Sequence, residues 1–98
     1  MKNGKHICKI LAKQKRTIKN RYKLKQIGLF GSFVKNRQTP QSDLDILVEF
    51  QQGGDTFDNY MDLKFHLEET LGKKVDLVIK NVLREELKDN ILSEVVYV

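Results

Sequence analysis

Residues 25–45 of the chain read KQIGLFGSFVKNRQTPQSDLD and contain, in order, an apolar run, a glycine turn, a polar loop and an acidic pair. The apolar run predicts a β-strand over 25–30 that ends at Gly31. A short helical turn is expected over 33–37, before the polar loop. From 43 to 50 acidic and apolar residues alternate, which predicts a second strand with one apolar face.

The sequence on both sides of this stretch predicts two amphipathic helices. Apolar residues recur at helical spacing among lysines over about 5–21, and a second apolar stripe advances by three or four over Phe57–Leu71. Thr56 or Asp55 can cap the second helix at its N-terminus. Gly72 suits the left-handed conformation that commonly ends a helix. Each helix therefore has one face that must be buried against another element.

The C-terminal third of the chain adds further strands and a helix. The apolar run over 75–79 predicts a strand, residues 83 to about 92 predict a helix, and 95–98 predict a terminal edge strand. Strands that alternate with helices indicate a small mixed β-sheet covered by helices. We therefore expect an α/β (α+β) fold in a single domain over residues 1–98, because 98 residues with 40% apolar content support one core.

The composition bears on where the protein works. Hydrophobic residues never run for 18 positions, so we expect no membrane-spanning helix. The chain has one cysteine, Cys8, which cannot form an internal disulfide and fits a reducing compartment. We expect a cytoplasmic protein without a membrane partner.

Charge is divided unevenly along the chain, whose net charge is +5. Residues 1–42 hold twelve Lys and Arg and no acid, whereas residues 43–98 hold thirteen acids and six bases. The basic helix within 1–24 points to an acidic partner: nucleic acid, nucleotide phosphates or an acidic protein face. A lysine-rich helix face that is simply solvated is the alternative, and the charge pattern leaves both open.

Asp43 and Asp45 are the first candidate metal ligands. Two acids at i and i+2 on a strand point to the same face, with Cα atoms about 6 to 7 Å apart. Their carboxylates can converge on two cations about 3.5 to 4 Å apart, the arrangement used in phosphoryl transfer. An Asp-x-Asp pair alone is weak evidence, because exposed strand faces often carry acids for solubility.

Asp76 strengthens this interpretation. It interrupts the apolar run Val75–Ile79, which predicts an inner strand, where an unpaired carboxylate would be costly. A metal shared with the aspartate pair would provide a partner, and hard oxygen donors suit Mg²⁺ or Mn²⁺. The alternative is a structural Asp that caps the strand or pairs with Lys73 or Lys74.

Gly31 and Ser32 are candidates for the phosphate side of such a site. A glycine between a strand and a helical turn lets backbone N–H groups approach an anion, and a helix N-terminus favours negative charge. The Ser32 hydroxyl adds a donor. A Gly-Ser turn by itself is common and would carry little weight.

The spacing of these motifs is specific. Gly31-Ser32, ten residues and Asp43-x-Asp45 form the GSx10DxD pattern of the polymerase-β-like nucleotidyltransferase superfamily. The segment PQSDLD at 40–45 resembles the PxSDxD motif of minimal nucleotidyltransferases, and LGKKVDLV at 71–78 resembles their LGxxVDLV strand. The chain therefore resembles the minimal nucleotidyltransferase (MNT) family, the antitoxin half of HEPN/MNT toxin–antitoxin pairs.

One departure from the family pattern concerns the residues after the Gly-Ser turn. Members often have Arg-Gly where this chain has Lys35-Asn36. Asn tolerates the left-handed conformation that glycine would adopt. Lys35 keeps the positive charge but loses bidentate phosphate recognition, and Arg37 can share that role. Together with the Gly-Ser turn, these two basic residues are the expected phosphate-binding set.

The resemblance implies a fold, a reaction and a partner. The fold would be the nucleotidyltransferase (polymerase-β palm-like) fold, with its catalytic core over 25–98. The reaction would be in-line attack of an acceptor hydroxyl on the α-phosphate of ATP, with pyrophosphate leaving. Asp43 and Asp45 would bind two Mg²⁺ ions, and Asp76 would bind the one nearest the nucleophile and could accept its proton. The acceptor would be a cognate HEPN toxin, an RNase that adenylylation neutralises.

Three other functions are considered. The main alternative is a non-catalytic antitoxin that neutralises its toxin by binding alone, although binding would not require three acids. A nucleic-acid-binding module would use the basic N-terminal helix, but nucleic acid is not expected as the primary partner. An antibiotic-modifying nucleotidyltransferase would need more chain, whereas a short chain agrees with an acceptor supplied by a partner protein.

Overall fold

A computed structural model describes residues 4–35, 37–39 and 41–98. Asn36 and Pro40, which took part in the sequence motifs, lie outside the described residues. The regular elements of the described chain are helix α1 (Gly4–Tyr22), strand β1 (Leu24–Phe30), strand β2 (Leu44–Phe50), helix α2 (Phe57–Leu71), strand β3 (Val75–Ile79), helix α3 (Glu85–Glu94) and strand β4 (Val96–Tyr97).

The strands form one mixed sheet in the order β3-β2-β1-β4. β1 pairs antiparallel with both β2 and β4, and β2 pairs parallel with β3. The predicted α/β class with a small mixed sheet is confirmed, and β4 is the edge strand that the C-terminal residues predicted. No helix in the described ranges is both long and apolar enough to cross a membrane.

The hydrophobic core lies between one face of the sheet and helices α1 and α2. From the helices, the fully buried residues are Ile7, Leu11, Ile18, Leu63, Leu67 and Leu71. From β2 they are Leu44, Ile46, Leu47 and Val48, of which Leu44, Ile46 and Val48 belong to this core cluster. Because side chains alternate along a strand, Asp45 and Glu49 are directed to the opposite face. The apolar face of β2 thus fixes which side of the sheet receives its acids.

Helix α2 begins and ends as the sequence predicts. The Thr56 side chain accepts a hydrogen bond from the Asn59 N–H at 3.2 Å, which caps the first turn. Gly72 ends the helix with φ of 68° and donates its N–H to the Glu68 carbonyl at 2.9 Å. The expected apolar stripe is wrong at its first position, because Phe57 is 76% exposed. The stripe that reaches the core starts one turn later.

β3 occupies an edge of the sheet, so the prediction of an inner strand was wrong. Within the described chain it pairs with β2 alone. Val75 and Leu77 are buried beside α2, and the Tyr60 hydroxyl donates to the Leu77 carbonyl at 2.7 Å. Asp76 between them is exposed. The apolar run reflects a face covered by a helix, and the carboxylate never has to be buried.

Three element boundaries also differ from those predicted. The helical turn expected over 33–37 starts earlier, as a 3₁₀ turn over Gly31–Phe33. β2 starts at Leu44, where the N–H of Leu44 donates to the Lys74 carbonyl at 2.9 Å, so Asp43 precedes the strand. Helix α3 runs about two residues later than expected.

Candidate active site

The ends of three strands lie side by side at one end of the sheet. Because β1 is antiparallel to β2, and β2 is parallel to β3, the end of β1 lies beside the beginnings of the other two. Phe30 is the register partner of Asp45, and Asp45 is the register partner of Asp76. The topology therefore brings the turn after β1 together with two of the three predicted aspartates.

Asp45 and Asp76 form a carboxyl pair on neighbouring strands. They are opposite each other in the parallel register of β2 and β3, so the negative charge of Asp76 disfavours ionisation of Asp45. The pKa of Asp45 is raised from 3.8 to about 6, mainly by burial and then by the charge and hydrogen bond of Asp76. The Ser32 backbone N–H works in the opposite direction, and the Asp43 charge adds a smaller increase.

Asp43 is an exposed residue that acts on this pair through its charge. In the described chain, no three His, Cys, Asp or Glu side chains are already arranged around a point that could hold a metal ion. The three predicted aspartates therefore influence one another without being already arranged as a metal-binding site. Their donors are nevertheless all carboxylate oxygens, and a cation beside Asp45 and Asp76 would offset the repulsion between their charges. This donor set fits Mg²⁺ or Mn²⁺.

The position of the Asp45 carboxyl group leaves no room for a side chain at Gly31. Its φ is 77°, and a Cβ built there would lie 2.8 Å from Asp45 Cγ and closer still to one carboxylate oxygen. Any side chain would push the carboxyl group out of its position beside Asp76. Sequence reasoning assigned this glycine to the approach of a phosphate, and the structure adds a role in placing an acid.

The backbone donors of the Gly-Ser turn are bonded to carboxylates. The Ser32 N–H donates to Asp45, and the Gly31 N–H donates to Glu94 Oε1 at 3.1 Å. The Ser32 hydroxyl takes no part in these two bonds. The turn is thus a set of donors suited to anions, as the sequence suggested, but its partners in this structure belong to the protein.

Lys35 and Arg37 follow the turn closely. Lys35 Nζ lies 2.8 Å from Glu94 Oε2, with the lysine side chain 46% exposed. The N–H of exposed Arg37 donates to the Ser32 carbonyl at 2.8 Å, which keeps its backbone beside the turn. Both basic residues are therefore near the Gly-Ser donors, and Lys35 already contacts an anion there.

Glu94 is the residue that sequence reasoning missed. It lies at the end of α3, beyond the predicted helix, and its hydrogen bond to the turn joins residues 63 positions apart. The hydrogen bond from Lys35, with smaller contributions from the Gly31 N–H and the Lys35 charge, lowers the pKa of Glu94, although partial burial of the carboxylate raises it. No spacing rule links this acid to the turn, so only the folded structure could identify it.

Known proteins with similar sequences share a nucleotide-transfer description. Residues 11–98 match the family model described as Nucleotidyltransferase domain. A candidate protein adenylyltransferase of Methanocaldococcus jannaschii is 42% identical over 99 residues, covering 100% of both chains. Protein adenylyltransferase MntA of Thermococcus cleftensis is 38% identical over 89 residues, covering 91% of this chain and 89% of that protein.

Solved structures give the same picture. A candidate minimal nucleotidyltransferase superposes with a TM-score of 0.76 at 29% identity, covering 92% of this chain and 93% of that one. A toxin–antitoxin structure with AMP-PNP gives 0.68 at 28% identity, with coverages of 87% and 69%. A tri-AMPylated HEPN toxin of Shewanella oneidensis in complex with MNT antitoxin gives 0.61 at 25% identity, with coverages of 97% and 67%.

The raised pKa of Asp45 predicts a pH-dependent gain of stability in Asp45→Asn. The folded chain holds the Asp45 proton more tightly than the unfolded chain, so this group's stabilising contribution is complete below pH 4 and is lost as pH rises through about 6. Without divalent metal, Asp45→Asn should match wild type near pH 4 and exceed it at pH 7 by about 1 kcal/mol, after allowance for solvent screening.

Urea unfolding in EDTA at several pH values measures this difference. Asp89→Asn, at an exposed position of α3, is the control and should show no pH-dependent gain. Equal stability of Asp45→Asn and wild type at pH 7 would contradict the raised pKa of Asp45.

The close approach of Gly31 to Asp45 predicts that Gly31→Ala displaces the carboxyl group. Gly53 provides a matched control, because its φ is 83° but a Cβ there would meet nothing within 4 Å. Gly53→Ala should cost only the left-handed strain, about 1 to 2 kcal/mol. Gly31→Ala should cost more and should return the pKa of Asp45 towards its ordinary value, as followed by the carboxyl ¹³C signal. An unchanged Asp45 titration in Gly31→Ala would exclude this role of the glycine.

Proposed function

The chain belongs to the nucleotidyltransferase domain family, in its minimal (MNT) form, and we propose that it is an antitoxin that transfers AMP from ATP to a cognate HEPN-type RNase toxin, which it thereby neutralises. The observation that carries the proposal is the Asp45–Asp76 carboxyl pair held beside the Gly31-Ser32 turn. Holding two carboxyl groups together lowers the free energy of unfolding near neutral pH. This loss of stability is accounted for if the pair binds a cation that the reaction requires.

The metal in this proposal is Mg²⁺, with Mn²⁺ as a substitute. Asp43, Asp45 and Asp76 would hold it, because their oxygens are the donors that these hard cations prefer. When bound, it would supply Lewis-acid polarisation of the phosphoryl oxygens and neutralise negative charge.

The protein's own side chains account for the remaining parts of the reaction. Asp76 is exposed at the sheet edge, so an acceptor hydroxyl can reach its carboxylate and give up its proton there. The hydroxyl oxygen forms a bond to the α-phosphorus while the bond from that phosphorus to the bridging oxygen breaks, and pyrophosphate leaves. The Ser32 hydroxyl and the Lys35 ammonium group provide a donor and a positive charge for the β- and γ-phosphates. Exposed Arg37 can share this role.

The identity of the acceptor rests on the similar proteins and on exposure. The relatives are named as protein adenylyltransferases, and one structural neighbour contains a tri-AMPylated HEPN toxin beside its MNT antitoxin. In this chain, exposed Asp76 lies on an edge strand that a second protein can approach. Both points support a protein acceptor, and the structural neighbour with AMP-PNP supports ATP as the AMP donor.

The proposed metal site predicts that removal of its carboxylates weakens nucleotide binding. Titration calorimetry should show Mg²⁺-dependent ATP binding. The double variant Asp43→Asn/Asp45→Asn should weaken this binding more than about tenfold, because loss of a group that merely hydrogen-bonds to a metal ligand already lowers metal affinity about 10- to 100-fold. Asp58→Asn/Asp62→Asn removes the same charge from exposed positions of α2 and should bind like wild type. If the two double variants bind Mg-ATP equally, the metal assignment is wrong.

The position of Asp76 predicts a separation of binding from transfer. Asp76→Asn should still bind nucleotide and dock on the toxin, but it should not transfer AMP because the proton acceptor is lost. Intact mass of the toxin is the readout, and wild type with Mg-ATP should add about 329 Da for each AMP. Neutralisation by wild type without any mass increase, and equal neutralisation by Asp76→Asn, would instead support an antitoxin that acts by binding alone.

A further inference from the structure

The carboxylate of Glu94 contacts the donors that the proposed reaction needs for phosphate. Glu94 Oε1 accepts from the Gly31 N–H at 3.1 Å, and Oε2 lies 2.8 Å from Lys35 Nζ. The glutamate side chain is 22% exposed, so this is a partly enclosed contact that reaches across the fold from α3. An anion from the C-terminal part of the chain therefore lies on the turn.

A carboxylate and a phosphate make the same demand on these donors. Each presents two or more negatively charged oxygens that accept from a backbone N–H and from an ammonium group. The Lys35 ammonium group and the single Gly31 N–H cannot serve Glu94 and a nucleotide phosphate fully at the same time. Moreover, two anions side by side on one cation repel each other. Nucleotide and Glu94 must compete for the turn.

The element that carries Glu94 is weakly anchored. None of the residues of α3 is buried, and Leu87 in that helix is 50% exposed. The following strand β4 has only two residues, in register with Gly28 and Leu29. Few buried apolar contacts mean a low free energy for local opening. Loss of the Glu94 contacts should therefore be felt in the rest of α3.

We propose that Glu94 is an internal phosphate mimic: it occupies the Gly31 N–H and Lys35 in the nucleotide-free protein, and nucleotide phosphates displace it and loosen the C-terminal end of α3. This rests on the proposed function, because it concerns the regulation of that same nucleotide site. Nucleotide binding and docking of α3 are then mutually antagonistic.

Substitution of the mimic should strengthen phosphate binding. Glu94→Gln keeps an oxygen for the Gly31 N–H but lacks the charge that holds Lys35. It should bind Mg-ATP and inorganic tripolyphosphate about two- to fivefold more tightly than wild type, the range expected for a partly exposed ion pair. Glu86→Gln removes the same charge from an exposed position of α3 and should leave both affinities unchanged. Equal or weaker binding by Glu94→Gln would overturn the proposal, and weaker binding would make Glu94 a residue that positions the turn.

Hydrogen exchange on the wild-type protein is a second test that needs no variant. Addition of Mg-ATP should speed exchange of the backbone amides in the C-terminal half of α3, while amides of β2 exchange as slowly as before or more slowly. Unchanged or slower exchange in α3 would contradict displacement of Glu94. Absence of ATP binding by wild type would contradict the proposed function. ATP binding by wild type without tighter binding by Glu94→Gln, or without faster exchange in α3, would contradict the phosphate mimic alone.

Discussion

The proximity of two acidic groups, Asp45 and Asp76, is the constraint on which the candidate active site depends. Parallel pairing of β2 and β3 places them opposite each other, in the same register that buries Ile46 and Leu77. A shift of one residue would turn an apolar strand face towards solvent. The carboxyl groups cannot separate without that loss, so burial of the core holds like charges together against their repulsion.

The turn after β1 is shaped by this pair. Gly31 is a glycine because a side chain would meet the Asp45 carboxyl group, and the Ser32 N–H donates to that same group. Lys35 brings a positive charge to the turn, and Glu94 holds it there. Charges of both signs therefore lie close together in space around the turn, and the balance between them is what an arriving anion or cation would change.

The local parts of the site could be predicted from the sequence, and the long-range parts could not. Strand alternation and turn chemistry act over a few residues and make Gly31, Asp45 and Asp76 candidates. The resemblance to the minimal nucleotidyltransferases is what joins them into one predicted set. The edge position of β3 depends on which strands pair with it. An apolar run has the same sequence pattern whether its strand is paired on both sides or is an edge strand with one face covered by a helix. Glu94 reaches the turn from 63 residues away through tertiary packing, which no sequence period encodes.

The edge position of β3 explains how so small a fold can leave a candidate catalytic carboxyl group exposed. An inner strand would bury the second carboxyl group, where its charge would be too costly without a permanent partner. At the edge, Asp76 keeps its side chain exposed while Val75 and Leu77 still pack in the core. The cost is then concentrated in Asp45, whose raised pKa records burial beside a second acid. The lower stability at half-buried Asp45 and the accessibility of Asp76 are thus two consequences of the same strand pairing.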